Sequence, residues 1–432
     1  MLSALDKTRI FMKPVTEVYL VDGLRTPFLK AGNQRGPFTA ADLAVFCARG
    51  LLQRQSFPLE AIGEVITGCM IPSTDEANIS RVIGLRLGLP HSVPAFTVQR
   101  NCASGLQAID SACQDILLGK HQVVLAGGTE AMSHAPLLHQ PEFINWLGRW
   151  ASARNWRQRG RCLTQLRPAM FKPIISLLRG LQDPLVGLSM GQTAEILANR
   201  FAITREAMDE FAVESHQRLA AAYQQGFMQE VAPLIDTQGK VYAQDTGLRV
   251  DSTVEKLARL KPVFDKPYGS VTAGNSSQVS DGAAFVILAS REAVLKYQLP
   301  VLAKIVDSEW AGVDPKLMGL GPVAATLPIL KRQQKTLQDI ECFEINEAFA
   351  AQVLACIAYF KECGAGDMPL TILNKTGGAV AAGHPVGASG ARLVLHVAET
   401  LKREQTQWGI ASLCIGGGQG GAMLLQRVEN VK

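Results

Sequence analysis

Two cysteines, one histidine and one asparagine sit in settings that suit nucleophilic chemistry at sulfur. Asn101-Cys102-Ala103-Ser104-Gly105 places a cysteine where an apolar strand, Ala95 to Val98, turns into an amphipathic helix. A helix N-terminus offers free N–H groups and positive potential, so the Cys102 thiol is expected to have a lowered pKa and an exposed sulfur. The same N–H groups can stabilise an oxyanion formed by attack at that sulfur. A free thiol is only slightly ionised near neutrality, so a nucleophile there also needs a base. Gly383-His384-Pro385, followed by Gly387 and Gly390, supplies a candidate. A histidine between glycine and proline projects from a loop that other backbone can approach closely, and imidazole accepts a thiol proton near neutral pH. Cys414 stands at the end of an apolar run before the glycine loop Gly416-Gly417-Gly418-Gln419-Gly420-Gly421, and Asn346-Glu347-Ala348-Phe349 marks another strand-to-helix junction. Taken singly, each has a plainer reading: a tight helix start with a buried thiol, a structural histidine, a helix N-cap asparagine. Gly416, Gly418 and Gly421 formally satisfy G-x-G-x-x-G. The few residues to Lys432 leave no room for a βαβ unit, so a dinucleotide fold is not expected there. The glycines instead suit close approach of backbone N–H groups to a small oxygen.

The elements that must position these groups occur twice. Cys102-Ala103-Ser104-Gly105 precedes a periodic stretch, Leu106 to Leu118, then an apolar run, Val123 to Ala126, ending in Gly127-Gly128. Gly387-Ala388-Ser389-Gly390 precedes Leu393 to Leu401, then Ile410 to Ile415 and Gly416-Gly417-Gly418. Each copy reads as turn, helix and buried strand, and Ala131-Met132 and Ala422-Met423 are matched as their ends. Upstream, Leu59 to Gly68 has the layout of Leu337 to Asn346. Two alternating α/β halves follow, related by a pseudo-twofold axis. The run Ala284 to Ala289 completes the first half, and residues 136–265 form an excursion from it. The expected division is 1–135 with 266–298, then 136–265 as an inserted loop domain, then 299–432.

At 432 residues with 47% hydrophobic and 19% charged residues, the chain suits two or three domains and excludes wholesale disorder. No stretch reaches the ~18 uninterrupted apolar residues of a membrane span. Lys7, Arg9, Lys13 and Glu17 interrupt the N-terminal stretch, so no secretory leader is expected. Nine cysteines with no C-x-x-C pair fit neither a metal knuckle nor a disulfide framework, and point to a reducing cytoplasmic compartment. The formal net charge is +5, but its distribution matters more. Between Glu142 and Asp183 there is no acidic residue, while Arg149, Arg154, Arg157, Arg159, Arg161, Arg167, Lys172 and Arg179 are all basic. Trp146, Trp150 and Trp156 lie among them. The segment fits a solvated face of a subdomain, an interfacial amphipathic helix or partner-docking surface, or a nucleic-acid contact, the last being the weakest fit.

In combination the motifs resemble the thiolase family, the acetyl-CoA acyltransferases. Asn101 to Gly105 (NCASG), Asn346 to Phe349 (NEAF), Gly383 to Gly390 (GHPVGASG) and Cys414 to Gly420 (CIGGGQG) carry the resemblance. Val21 to Phe28, Gly127 to Met132, Met190 to Glu195 and Thr272 to Gly282 support it, in family order across nearly the whole chain. The resemblance implies an α/β thiolase fold: two duplicated βαβαβαββ halves in an αβαβα layered core, with an inserted loop domain. It also implies roles. Cys102 takes the acyl group as a thioester; His384 activates it and, with a water held by Asn346, forms one oxyanion hole. Cys414 moves the proton at the substrate α-carbon, and the N–H groups of Cys102 and Gly416 form the second hole. Met190, Arg249 and Ser277 are implied as CoA contacts, Arg249 facing the nucleotide phosphates. The implied reaction is thiolytic cleavage of a 3-ketoacyl-CoA in fatty-acid β-oxidation, with condensation of two acetyl-CoA as the alternative. CoA is a substrate, and no metal or separate cofactor is implied.

The resemblance further implies a homodimer or homotetramer. The basic segment 149–179 resembles the insertion of thiolase subunits in trifunctional β-oxidation complexes, where it docks to a membrane or the partner subunit. Those subunits usually carry histidine where this chain has Asn346, so the chain mixes both patterns. The expected location is therefore cytoplasmic, with peripheral membrane contact left open and no nucleic-acid partner. A ketoacyl-synthase type of condensing enzyme shares the duplicated fold, but Cys414 in a C-x-G-G-G setting argues against it. A catalytically silent acyl-CoA-binding module is the remaining alternative, opposed by the intact Cys102, His384 and Cys414.

Overall fold

The computed structural model describes residues 17–429 and residue 431. Lys7, Arg9 and Lys13, on which the expectation of no leader mostly rests, lie outside the described residues. Nine principal strands form one sheet: β1 (Val18–Arg25), β2 (Glu64–Gly68), β3 (Ala95–Val98), β4 (Val123–Ala131), β5 (Ser280–Ser290), β6 (Ala303–Gly312), β7 (Cys342–Ile345), β8 (Trp408–Ile415) and β9 (Gln419–Gln426). Their order is β7-β8-β9-β6-β1-β5-β4-β2-β3, with the short strand Leu29–Lys30 beside β5. The duplication is visible in that order. On either side of the centre, β1 matches β6, β5 matches β9, β4 matches β8 and β2 matches β7. The counterpart of β3 is reduced to one parallel bridge between Phe343 and Leu373. Within the sheet, the strands of the two halves meet where Val18 to Leu20 pairs antiparallel with Ala303 to Ile305.

The short junction lets the sheet halves fold around two helices, Ser104–Leu117 and Val386–Glu404. Strand alternation sorts the side chains into layers. Val124, Ala126, Val286 and Leu288 face these central helices, as do Ala411, Leu413 and Ile415 from the second half. Val123, Leu125, Phe285 and Ile287 face an outer layer containing the Ala40–Leu52 helix. Ile410 and Leu424 face the other outer layer, the helices Gly321–Arg332 and Ala350–Glu362. The five layers are those the resemblance implies.

Glycines decide how closely the central helices begin. A Cβ on Gly128 would lie 1.9 Å from the Gly387 oxygen, and one on Gly390 would lie 2.4 Å from the Leu106 nitrogen. Only hydrogen at these positions lets the two helix starts meet, which brings the Cys102 and His384 segments together. The matching of Ala131-Met132 with Ala422-Met423 does not survive. Ala131 ends β4, whereas Ala422 and Met423 lie within β9, the counterpart of β5. Residues of one local pattern occupy two different strands of the repeat.

The excursion leaves after β4 and returns before β5, yet it packs largely on the second half. Ala194, Ala198 and Met208 meet Met318, Ala348 and Ala351. Leu219 and Ala222 meet Ala381 and Ala382. Asp245 ties the excursion back to β1 through a buried, two-point ion pair with Arg25 at 2.7 and 2.8 Å. The Tyr223 hydroxyl donates to the same carboxylate at 2.9 Å, so neither buried charge is left unpaired. Among the described residues no helix is long and apolar enough to cross a membrane.

Candidate active site

Four chain-distant segments converge on one cavity of about 220 Å³, whose wall includes Cys102, Ala348, His384, and Cys414 with Gly416. Cys102 lies just before the helix Ser104–Leu117. Asn101 takes a positive φ of 45°, an arrangement asparagine tolerates better than most residues. Its Nδ2 donates to the Gly416 carbonyl at 2.7 Å, tying the two sulfur-bearing segments to each other. The turn is closed by the Ser104 hydroxyl, which receives the Arg100 N–H at 2.9 Å and donates to the Asn101 carbonyl at 2.7 Å.

The expectation of a lowered Cys102 pKa is overturned. Burial pushes the thiol up to about 11; the backbone N–H groups of Gly416 and Cys102 itself oppose the rise, and the Glu130 charge adds to it. Desolvation outweighs the helix terminus because the sulfur sits inside the cavity wall, where an anion loses its water. Cys414, 1% exposed at the end of β8, is held well above the usual thiol range by burial and then by the neighbouring Cys102. Both sulfurs therefore rest protonated and need a base.

His384 lies between the short helix Ala379–Ala382 and the helix Val386–Glu404. Burial, followed by the charge of Arg392, lowers its pKa to about 4, so the ring is neutral at working pH. Its Nδ1 is 2.6 Å from the Ser389 hydroxyl, which itself donates to the Pro385 carbonyl at 3.0 Å. With its only hydrogen committed to Pro385, Ser389 accepts from Nδ1–H, and the ring presents the unprotonated Nε2. Asn346, 1% exposed, stands at that Nε2 with its Nδ2 at 3.4 Å. Asn346 is not a helix N-cap; Phe349 holds that position for the helix Ala350–Glu362.

The loop 276–278 binds the motifs to one another. Ser277 N–H donates to the Ala348 carbonyl at 3.0 Å, and the Gln278 carbonyl receives the His384 N–H at 3.2 Å. Gln278 Nε2 donates to the Gly247 carbonyl at 2.9 Å. Met190 and Ser277 both line the cavity. Arg249 is exposed and lies outside that lining; its N–H donates to His216 Nδ1 at 3.2 Å, two residues from the Gly247 tie.

Sequence reasoning missed several groups. Ser389 lies inside the GHPVGASG motif, and its place in the first turn after Pro385 was the available signal. Glu130, fully buried, accepts N–H groups from Met70 at 2.9 Å, Ile71 at 3.0 Å and Gly387 at 3.1 Å. Burial raises its carboxyl to about 7 against those bonds. It thus locks the start of the helix that follows His384. Leu178 and Leu181, from the edge of the basic segment, join Met132, Phe264 and Met318 in the apolar part of the cavity wall. Nothing local in the sequence marks them, because only the tertiary fold brings them there.

The arrangement puts one thiol under two backbone N–H groups, a second thiol in the same wall and a neutral imidazole with a free ring nitrogen. A thioester carbonyl oxygen in the cavity would meet the N–H groups of Cys102 and Gly416 where they now face the sulfur. Residues 18–292 match the family model described as "Thiolase, N-terminal domain", and residues 299–427 match "Thiolase, C-terminal domain". The chain is 41% identical over 414 residues to the mitochondrial 3-ketoacyl-CoA thiolase of Rattus norvegicus, covering 95% of this chain and 98% of that one. It is 40% identical over 417 residues to a beta-ketoadipyl-CoA thiolase of Acinetobacter baylyi, covering 95% and 99%. The crystal structure of human mitochondrial 3-ketoacyl-CoA thiolase in complex with CoA superposes with a TM-score of 0.84 at 38% identity, covering 96% of this chain and 99% of that one. An acetyl-CoA acetyltransferase of Bacillus anthracis gives 0.85 at 37% identity, covering 96% and 99%.

Proposed function

The chain belongs to the thiolase family, and on that premise we propose that it is a 3-ketoacyl-CoA thiolase acting in fatty-acid breakdown. The observation that carries this reading is the shared cavity wall of Cys102, His384, Cys414 and Gly416. The reaction follows from the protonation states. His384 Nε2 takes the Cys102 proton as the sulfur attacks the 3-keto carbon. The carbon–carbon bond breaks, and acetyl-CoA departs as an enolate that Cys414 protonates. The shortened acyl group stays on Cys102 until a second CoA thiol attacks it, giving its proton to the Cys414 thiolate; the Cys102 sulfur leaves and recovers its proton from His384, which restores all three groups. His384, beside Asn346, steadies one oxyanion; the N–H groups of Cys102 and Gly416 steady the other. Because both thiols rest protonated, proton transfer accompanies attack, and Cys102 is protected from stray oxidation in the resting enzyme.

CoA lies against Met190 and Ser277, and Arg249 beyond the Gly247–Gln278 tie meets its phosphates. We also propose that the protein is a homo-oligomer in a reducing, cytoplasmic compartment. The edge strand β3, with a half-exposed Phe96, and nine unbridged cysteines support those two readings. Steady-state rates with short-, medium- and long-chain 3-ketoacyl-CoAs test the degradative assignment. Turnover that extends to the longer substrates is expected. Activity confined to acetoacetyl-CoA would instead favour the biosynthetic condensation of two acetyl-CoA.

A further inference from the structure

Among the described residues, no lysine, arginine, aspartate or glutamate lines the catalytic cavity. The polar side chains that do line it are largely committed elsewhere. The Ser189 hydroxyl donates to Gln192 Oε1 at 3.1 Å, and the Ser276 hydroxyl donates to the Thr272 carbonyl at 2.6 Å. Gln278 Nε2 donates to the carbonyls of Gly247 and Val380 at 2.9 and 3.3 Å, and its buried Oε1 offers only an acceptor. His384 keeps its ring hydrogen on Nδ1, against Ser389. That leaves the Ser277 hydroxyl, on the side where CoA lies in the proposed reaction.

The rest of the wall is hydrocarbon, thioether and aromatic ring. Met132 and Met318 are buried, and Leu178 and Leu181 stand with them. Phe264 meets Phe349 edge-on, with ring centroids 5.8 Å apart, and lies so close to Gly191 that a Cβ there would be 2.2 Å from its ring. The charges nearest in sequence or in influence do not enter this wall. Arg392, whose charge reaches His384, is buried outside the lining and paired with Glu344 at 3.0 Å. Arg179 follows Leu178 but is exposed and outside the lining. Glu130, two residues before Met132, is a carboxylate and would repel a second one.

We propose that this wall, with Leu178 and Leu181 at the acyl terminus, selects 3-ketoacyl-CoAs whose chain ends in a methyl group and rejects those whose chain ends in a carboxylate. The inference deepens the 3-ketoacyl-CoA reading and rests on it. A methyl terminus gains from burial against leucine and methionine side chains. An ionised carboxylate loses its water there and finds neither a counter-charge nor a free donor. The contrast is sharpest for 3-ketoadipyl-CoA. Its carboxylate stands only three carbons beyond the ketone, so it stays within the cavity while Cys102 attacks. Overall similarity does not decide the point, because relatives named for either kind of substrate resemble the chain about equally.

The test compares kcat/KM of the full-length protein for 3-ketohexanoyl-CoA, 3-ketoadipyl-CoA and the methyl ester of the latter, which carries the same chain without the charge. The acid should be poorer than 3-ketohexanoyl-CoA by roughly a hundredfold or more, and the ester should stay within about tenfold of it. Leu178→Lys, at a position 60% exposed and so tolerant of a cation, should raise kcat/KM for the acid about tenfold or more and lower it for 3-ketohexanoyl-CoA. Leu181→Lys should act in the same direction. Equal turnover of the acid and 3-ketohexanoyl-CoA overturns the proposal and leaves the thiolase reading standing. An ester rejected as strongly as the acid also overturns it, because size would then decide. Unchanged ratios in both lysine variants overturn it by placing the acyl terminus elsewhere. No turnover of 3-ketohexanoyl-CoA overturns it together with the reading beneath it.

Discussion

Replacing Ser389 by alanine removes a hydroxyl that touches no substrate and yet sets the state of the base. In the native protein that hydroxyl, 2.6 Å from His384 Nδ1, gives its own hydrogen to the Pro385 carbonyl and receives the ring N–H. The variant leaves a buried N–H with no acceptor, a penalty of about 1–3 kcal/mol. The ring escapes it by moving the proton to Nε2, which closes the lone pair that takes the Cys102 proton. Either way the loss falls on the transition state, so kcat and kcat/KM should drop about 5–150-fold. KM for CoA should hold, because Met190 and Ser277 line the cavity and Ser389 does not. Alkylation of Cys102 by iodoacetamide, which uses the same base, should slow by a comparable factor. Since a structural role alone would lower the melting temperature without splitting kcat from KM, both are measured together. A kcat within about twofold of wild type, with unchanged alkylation, would refute the tautomer argument.

The pH profile carries a second consequence. Burial holds His384 near 4, so a group whose neutral form is the base should lose activity only as pH falls toward 4; an acid limb near the ordinary histidine value would contradict this. Asn346→Ala removes the amide beside His384 Nε2 and should cost on the order of 10²–10³ in kcat, as loss of an oxyanion donor does; stopped-flow single turnovers measure it. Leu181→Ala widens the apolar wall and Leu181→Phe narrows it, so kcat/KM should shift toward longer and shorter 3-ketoacyl chains respectively. An unchanged chain-length profile in both would place the acyl group elsewhere.

What the sequence made legible follows from backbone demands. The Gly-His-Pro setting of His384, the glycines after Cys414 and the turn before Ser104 are local constraints, and all lie where those constraints put them. The repeat was readable for β4 with β8 and β2 with β7, since each strand carries its own apolar run. It failed for Ala422-Met423, where two letters alike in type occupy different strands, and β3 left only a single bridge as its partner. The pKa of Cys102 was misjudged because a helix terminus is visible in sequence while burial is not. Leu178, Leu181 and Glu130 were invisible for the same reason, as their neighbours are brought from distant parts of the chain. Arg249 was matched by motif, and the structure leaves it outside the cavity lining, two residues along the chain from the Gln278 bond to Gly247.

The most direct measurement is mass spectrometry of the protein mixed with a 3-ketoacyl-CoA while free CoA is kept away. Release of acetyl-CoA should leave the shortened acyl group on the peptide containing Cys102, and added CoA should discharge it. The variant Cys102→Ala should carry no acyl group and show no turnover. Acylation of Cys414 instead, or full activity in the Cys102→Ala protein, would contradict the account.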